Sequence, residues 1–183
     1  VNRGLLDLLD KNEVEGVVAH ELAHIKHRDT LTMTIVATVA GAVMMLAQIG
    51  QFAAFFGGGN SDDEEGGVNP LVMLVLIIFA PLAATLIQLA VSRAREFEAD
   101  KTAAFLTGSP NGLVNALLKL ERGAQAIPNH HANPQTAHMF IVNPLAGMGG
   151  AMMSLFMTHP PIEKRVEALQ QLGPQIQPNA FAR

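Results

Sequence analysis

Two long stretches without a charged residue constrain the fold of this chain more than any other feature. Residues 31–56 and 70–91 contain no Asp, Glu, Lys or Arg, and each, as a helix, exceeds the roughly 20 residues that cross the hydrocarbon core of a bilayer. The alternative is a pair of core helices in a soluble protein, but a chain of 183 residues has little protein to cover two helices apolar all round. The pattern therefore predicts two transmembrane helices.

The charges that flank these stretches predict their orientation. Residues 57–69, which connect them, include an acidic run but no Lys or Arg. Basic residues precede the first stretch and follow the second: Lys26, Arg28, Arg93, Arg95 and Lys101. Because basic residues accumulate on the cytoplasmic side of a membrane, we expect 57–69 to be an acidic non-cytoplasmic loop and 92–183 to be the C-terminal cytoplasmic part. Motifs before the first span and after the second can then meet on one side.

A pair of histidines before the first apolar stretch has the spacing of a metal site. His20 and His24 share one face of a helix because they are one turn apart, and Glu21 lies between them in the sequence. Asp10 and Glu13 have the spacing of a capping box and predict where that helix begins. His-Glu-x-x-His on a helix is typical of zinc peptidases, in which the Glu takes a proton from the attacking water. A chance match in a histidine-containing helix is the alternative.

A catalytic zinc site requires a third protein ligand and an open position. The pattern that continues with Gly and a third His is excluded, because those positions hold His27 and Thr30. The helix predicted after the second apolar stretch offers Glu96 as ligand, with Asp100 on the same face to accept a hydrogen bond from a ligand imidazole. Glu98 lies about 200° around that helix from Glu96 and is unsuited to the same metal. A solvated acidic helix face is the alternative.

Three separated segments of the chain resemble the HtpX-type membrane zinc metalloproteases, which are relatives of the CAAX prenyl endopeptidases. They are His-Glu-Leu-Ala-His at 20–24, Ser-Arg-Ala-Arg-Glu-Phe-Glu-Ala-Asp at 92–100 and Thr-His-Pro-Pro-Ile-Glu-Lys-Arg-Val at 158–166. The resemblance implies a mainly α fold, a gluzincin-like metalloprotease core with two transmembrane helices inserted between the zinc-binding helices. It also implies one metalloprotease domain over residues 1–183.

The resemblance implies a role for each matching residue. One Zn²⁺ per chain is bound by His20, His24 and Glu96, with Glu21 as general acid and base and Asp100 as the partner of a ligand imidazole.

The third matching segment, residues 158–166, includes His159 and Arg165. In the family this segment lies near the active site, so the resemblance makes both residues candidates to stabilise negative charge on the tetrahedral intermediate. An alternative is that residues 159–161 only begin a helix over 162–172, which packs through Val166, Leu169 and Leu172.

These features together predict a zinc metalloendopeptidase of the EC 3.4.24 type. The resemblance implies that it hydrolyses misfolded or damaged membrane proteins in stress response and protein quality control, at the cytoplasmic face of a bacterial inner membrane. Polypeptides and the bilayer are the expected partners. A net charge of −4 without a basic patch gives no indication of nucleic-acid binding. The alternative is a non-catalytic membrane zinc-binding scaffold or sensor.

The sequence begins at Val1 without an initiator Met. It also lacks the two N-terminal hydrophobic segments of the family that it resembles. We therefore expect it to be a fragment.

Overall fold

The computed structural model describes residues 3–57, 70–126 and 159–176, and these residues are almost entirely helical. The helices are α1 (Arg3–Leu8), α2 (Lys11–His27), α3 (Asp29–Gly57), α4 (Pro70–Thr107), α5 (Asn111–Ala126) and α6 (Ile162–Leu172), followed by a short 3₁₀ helix (Gly173–Gln175). None of the described residues forms a strand, so the predicted mainly α fold is confirmed. The chain divides into two compact units, Leu31–Ala90 and Val1–Thr30 with Val91–Arg183.

The unit Leu31–Ala90 consists of the greater part of α3 and the first part of α4. Both helices are long and apolar enough to cross a membrane. Their side chains are mostly exposed; Leu46 is 69% exposed and Phe52 65% exposed. In a soluble protein the apolar side chains of core helices are buried, because apolar surface in contact with water costs about 25 cal/mol per Å². The side chains of these two helices do not have that burial. The exposed surface suits a lipid environment.

The spans predicted at 31–56 and 70–91 lie within α3 and α4, both of which extend beyond them. Helix α4 continues to Thr107 and ends where Gly108 has a positive φ of 73°. Helix α6 covers residues 162–172, for which the sequence predicts a helix. The predicted acidic loop, apart from residue 57, lies outside the described residues.

Helix α2 begins with the predicted capping box. The backbone N–H of Glu13 donates to Asp10 Oδ1 at 3.0 Å, and the backbone N–H of Asp10 donates to Glu13 Oε2 at 2.8 Å. At the other end Arg28 lies in the left-handed region, with φ 55° and ψ 44°. A residue with a Cβ adopts this region at a cost of order 1 kcal/mol. The chain turns sharply there, and α3 begins at the next residue, Asp29.

Helix α2 packs against α5 through a close approach of the two backbones. A Cβ on Gly16 would lie 2.6 Å from the backbone nitrogen of Leu113, and one on Gly112 would clash with the backbone oxygen of Asn12. Both positions therefore require glycine. The buried apolar side chains around this contact form the core of the second unit and include Leu9, Val17, Ala103, Ala104, Leu113, Leu117, Ile162 and Leu169. This packing holds α2 firmly in place.

Candidate metal centre

Three side chains from α2 and α4 converge in the second unit. His20, His24 and Glu96 each offer one ligand atom, and these atoms lie within 4.8 Å of one another. The two Nε2 atoms are 3.1 Å apart. His20 Nε2 lies 3.6 Å from Glu96 Oε2, and His24 Nε2 lies 3.6 Å from Glu96 Oε1. The structure thus brings together the three residues that the sequence predicts as metal ligands.

The arrangement of donor atoms fits a small cation such as zinc. Zinc binds imidazole nitrogens at about 2.0–2.1 Å in tetrahedral geometry, which separates two ligand nitrogens by about 3.3 Å. The separation of 3.1 Å between His20 Nε2 and His24 Nε2 is close to that value. Glu96 Oε2 is buried and accepts no well-aligned hydrogen bond from the described residues. A cation would satisfy this oxygen and both nitrogens together.

A carboxylate supports the imidazole of His20 on the side away from Glu96. His20 Nδ1 lies 2.9 Å from Asp100 Oδ1, a short contact without the alignment of a good hydrogen bond. Arg165 in turn donates to Asp100 twice, from Nε to Oδ2 at 2.7 Å and from Nη2 to Oδ1 at 2.6 Å. We call His20, Asp100 and Arg165 the inner triplet. All three side chains are buried.

A second carboxylate supports the imidazole of His24. His24 Nδ1 lies 2.6 Å from Asp29 Oδ2, at the first residue of α3. Arg95 donates from Nε to Asp29 Oδ1 at 2.6 Å and contacts the same oxygen through Nη2. We call His24, Asp29 and Arg95 the outer triplet, because the side chains of His24 and Arg95 are 25% and 24% exposed, although that of Asp29 is only 11% exposed. Each imidazole therefore faces a carboxylate with Nδ1 and the other imidazole with Nε2.

The carboxylates near the centre are held in their charged form. Burial alone would raise the pKa of Glu96, but the contact with His159 and the charges of Arg165, His159 and His20 outweigh it and lower the pKa to about 2. Burial likewise opposes ionisation of Asp100, yet the hydrogen bonds from Arg165 and the contact with His20 lower its pKa below the ordinary value. Both groups are therefore anionic at neutral pH, which favours a bound cation.

The other predicted site residues lie around this cluster. Glu21 is exposed on α2 beside His20. His159 is largely buried, with Nδ1 3.3 Å from Glu96 Oε2. Arg165 also reaches Glu96, with Nη1 3.4 Å from Oε2. Its side chain is fully buried and contacts the carboxylates of both Asp100 and Glu96.

The sequence does not predict two residues of the centre, Asp29 and Arg95. Asp29 comes five residues after His24, which is about 140° around a continuous helix, so helical spacing places it on another face. Arg95 has the sequence signal only of a basic residue that flanks an apolar stretch. The sharp turn at Arg28, which brings Asp29 to His24, has no glycine or proline to signal it. His27, the third histidine of α2, forms a hydrogen bond between its Nε2 and Thr102 Oγ1 at 2.9 Å.

Comparison with known proteins identifies the family. The model of peptidase family M48 matches residues 1–173. A curated relative from Pyrococcus furiosus named "Protease HtpX homolog" is 47% identical over 176 residues, which are 96% of this chain and 60% of the relative. A protein of the same name from Syntrophotalea carbinolica is 52% identical over 169 residues, 92% of this chain and 60% of the relative.

The chain spans about 60% of the length of these curated relatives. No solved structure matches it. The resemblance to HtpX-type proteases, which rested on three short segments, is confirmed by similarity over nearly the whole chain. The chain belongs to peptidase family M48, a family of metal-dependent peptidases.

Proposed function

We propose that this chain carries the catalytic centre of a membrane-bound zinc endopeptidase of the EC 3.4.24 type. The observation that carries the proposal is the convergence of His20, His24 and Glu96, with Glu21 beside them, in a member of a peptidase family. The two apolar helices add an anchorage in the bilayer. The proposed substrates are polypeptides, chiefly misfolded or damaged membrane proteins, so the role is protein quality control under stress.

One Zn²⁺ per chain would be held by Nε2 of His20, Nε2 of His24 and the carboxylate of Glu96. When bound, zinc acts as a Lewis acid that polarises a carbonyl and lowers the pKa of water to about 7. The chain lacks cysteine, so thiolate ligands play no part. The carboxylates of Asp100 and Asp29 hold the two imidazoles with Nε2 toward the centre.

Glu21 is proposed as the general base and acid. It follows His20 directly on α2, and its carboxylate is exposed, so water and a substrate can reach it. It would take a proton from the attacking water and pass it to the leaving amine, a contribution of typically 10²–10⁴-fold in rate. His159, close to Glu96, is proposed to donate a hydrogen bond to the oxygen that becomes negatively charged.

Arg165 is proposed to act through its neighbours. The residue is fully buried, and its pKa is affected first by burial, which lowers it, and then by the hydrogen bond to Asp100 and the charges of Asp100, Glu96 and Glu21, which raise it above the ordinary value. It therefore stays protonated and keeps Asp100 and Glu96 anionic and fixed. This proposed positioning role differs from the stabilisation of the tetrahedral intermediate that the resemblance implies for Arg165.

The proposed location is a bacterial inner membrane, with the active site facing the cytoplasm. The support is the distribution of basic residues around the two apolar stretches. Because the chain has no cysteine, a single cysteine can report the orientation. Thiol labelling in intact cells should reach Asp62→Cys but not Lys101→Cys, and the reverse pattern would contradict the proposed orientation.

The decisive experiment compares wild type with Glu21→Gln and the matched control Glu15→Gln, which neutralises another exposed carboxylate of α2. Bound zinc and casein cleavage are measured on the chain purified in detergent. We expect zinc in all three and cleavage only in wild type and Glu15→Gln. Cleavage by Glu21→Gln would contradict the mechanism, and zinc without cleavage in any protein would indicate a non-catalytic scaffold or sensor.

A further inference from the structure

We infer that Asp29 and Arg95 are positioning residues for the metal centre. Asp29 accepts a hydrogen bond from Nδ1 of His24, and Arg95 holds Asp29 in place, so that Nε2 of His24 faces the metal. The inference rests on the proposed function in that it assumes a metal held by His20, His24 and Glu96. It adds a support for the second imidazole that the sequence does not predict.

The contacts make Asp29 the link between His24 and Arg95. Its Oδ2 lies 2.6 Å from His24 Nδ1, and its Oδ1 accepts the hydrogen bond from Arg95 Nε at 2.6 Å. The two oxygens thus serve different partners. Since Asp29 is mostly buried, its carboxylate has little access to water. These two contacts therefore define its orientation.

The carboxylate determines which nitrogen of His24 is available to a metal. A neutral imidazole carries one proton, and a carboxylate at Nδ1 places that proton on Nδ1. The lone pair is then on Nε2, which is the atom 3.1 Å from His20 Nε2. Without Asp29 the ring could rotate about its side-chain bonds or adopt the other tautomer. Either change would weaken binding of a metal.

Arg95 connects this support to the third ligand. Arg95 and Glu96 are consecutive residues on α4, so one turn of that helix carries both the ligand and the residue that holds Asp29. Asp29 begins α3 immediately after the left-handed residue Arg28. The contact between Asp29 and Arg95 consequently joins the beginning of α3 to α4 beside the metal centre.

The test measures zinc affinity by competition with a chelator on the detergent-purified chain. We expect Asp29→Ala to bind zinc about 10–100-fold more weakly than wild type. Arg95→Met should lose less zinc affinity, because the carboxylate of Asp29 remains beside His24. The matched control Glu98→Ala removes a carboxylate from α4 that lies away from the site, and it should bind like wild type. Cobalt absorption should shift in Asp29→Ala only. Unchanged affinity and spectrum in Asp29→Ala would overturn the inference.

A second measurement does not depend on a variant that folds. Nitrogen NMR of zinc-loaded wild type with labelled histidine should show a protonated Nδ1 and a metal-bound Nε2 for His24. A metal-bound Nδ1 would overturn the inference while leaving the proposed function intact. Failure of wild type to bind zinc at all would overturn both, so the two failures are distinguishable.

Discussion

The inner triplet and the outer triplet give two imidazoles the same chemical support in different surroundings. In both, a carboxylate faces Nδ1 of a histidine and an arginine holds the carboxylate. The inner side chains of Arg165 and Asp100 are 0% and 2% exposed, whereas those of Arg95 and Asp29 are 24% and 11% exposed. We expect the carboxylate to orient the imidazole in both triplets, and we expect the loss of a buried member to affect folding as well.

The energetic consequence differs between the two arginines. Removing one partner of a buried ion pair leaves an uncompensated charge and costs about 3–5 kcal/mol, whereas a pair near the surface contributes about 0–1 kcal/mol. Arg165 on α6 donates to Asp100 on α4, so the inner triplet joins two helices that both contribute side chains to the core. We expect the inner triplet to affect both folding and metal binding, and the outer triplet mainly metal binding.

The largest effect is expected at Glu96, which belongs to neither triplet but lies near both imidazoles. Glu96→Ala should weaken zinc binding by more than the roughly 10–100-fold expected for a supporting residue, because a ligand is lost. Zinc retention after chelator treatment is the measurement. Glu98→Ala is the control and should retain zinc; the opposite result would overturn the ligand assignment.

The next largest effect is expected on stability, where the arginines of the inner and outer triplets should differ. In the metal-free chain, Arg165→Met should lower the free energy of unfolding by about 3–5 kcal/mol, because Asp100 is left as a buried charge. Arg95→Met should lower it by less, because the Arg95 side chain is 24% exposed and its removal lets water reach the carboxylate of Asp29. Thermal unfolding followed by circular dichroism in detergent measures both. Equal losses for the two variants would show that burial does not distinguish the triplets.

A change in α2 packing should affect both triplets together. Gly16→Ala would place a Cβ 2.6 Å from the backbone nitrogen of Leu113, and such overpacking costs typically about 1–3 kcal/mol. Because His20 and His24 both lie on α2, zinc affinity should fall as α2 shifts. Gly41→Ala is the control, with no atom within 4 Å of the added Cβ. Equal unfolding midpoints for the two variants would contradict the close contact between α2 and α5.

The smallest effect is expected at the beginning of α2. Asp10→Ala removes half of the capping box with Glu13 and should lower the free energy of unfolding by about 1 kcal/mol. Zinc affinity should be nearly unchanged, since the cap is far along α2 from the ligands. Asp7→Ala, on the exposed surface of α1, is the matched control. A large loss of zinc from Asp10→Ala would show that the end of α2 determines the metal geometry.

Much of this organisation could be predicted from local sequence pattern. Helical spacing predicts that His20 and His24 share a face, and the capping pair Asp10 and Glu13 predicts where α2 begins. Apolar runs predict two long helices. These signals depend on residues within a few turns of each other, where periodicity and capping chemistry operate.

The contacts that could not be predicted join residues distant in sequence or depend on an unusual backbone. Asp29 reaches His24 only because Arg28 adopts a left-handed conformation, which is rare for a residue with a Cβ. Arg165 reaches Asp100 across 65 positions of the sequence, and only tertiary packing shows that its guanidinium is buried. The role proposed for Arg165 therefore depends on its burial, which the spacing of residues in the sequence does not reveal.

X-ray absorption of the zinc-loaded chain is the sharpest test of the proposed ligand set, because it counts the imidazoles on the metal. We expect two imidazole nitrogens, with oxygen from Glu96 and from solvent in the remaining positions, and loss of bound zinc in Glu96→Ala. Three or more imidazoles around zinc would contradict it, because a further histidine such as His159 would then close the position that catalysis requires.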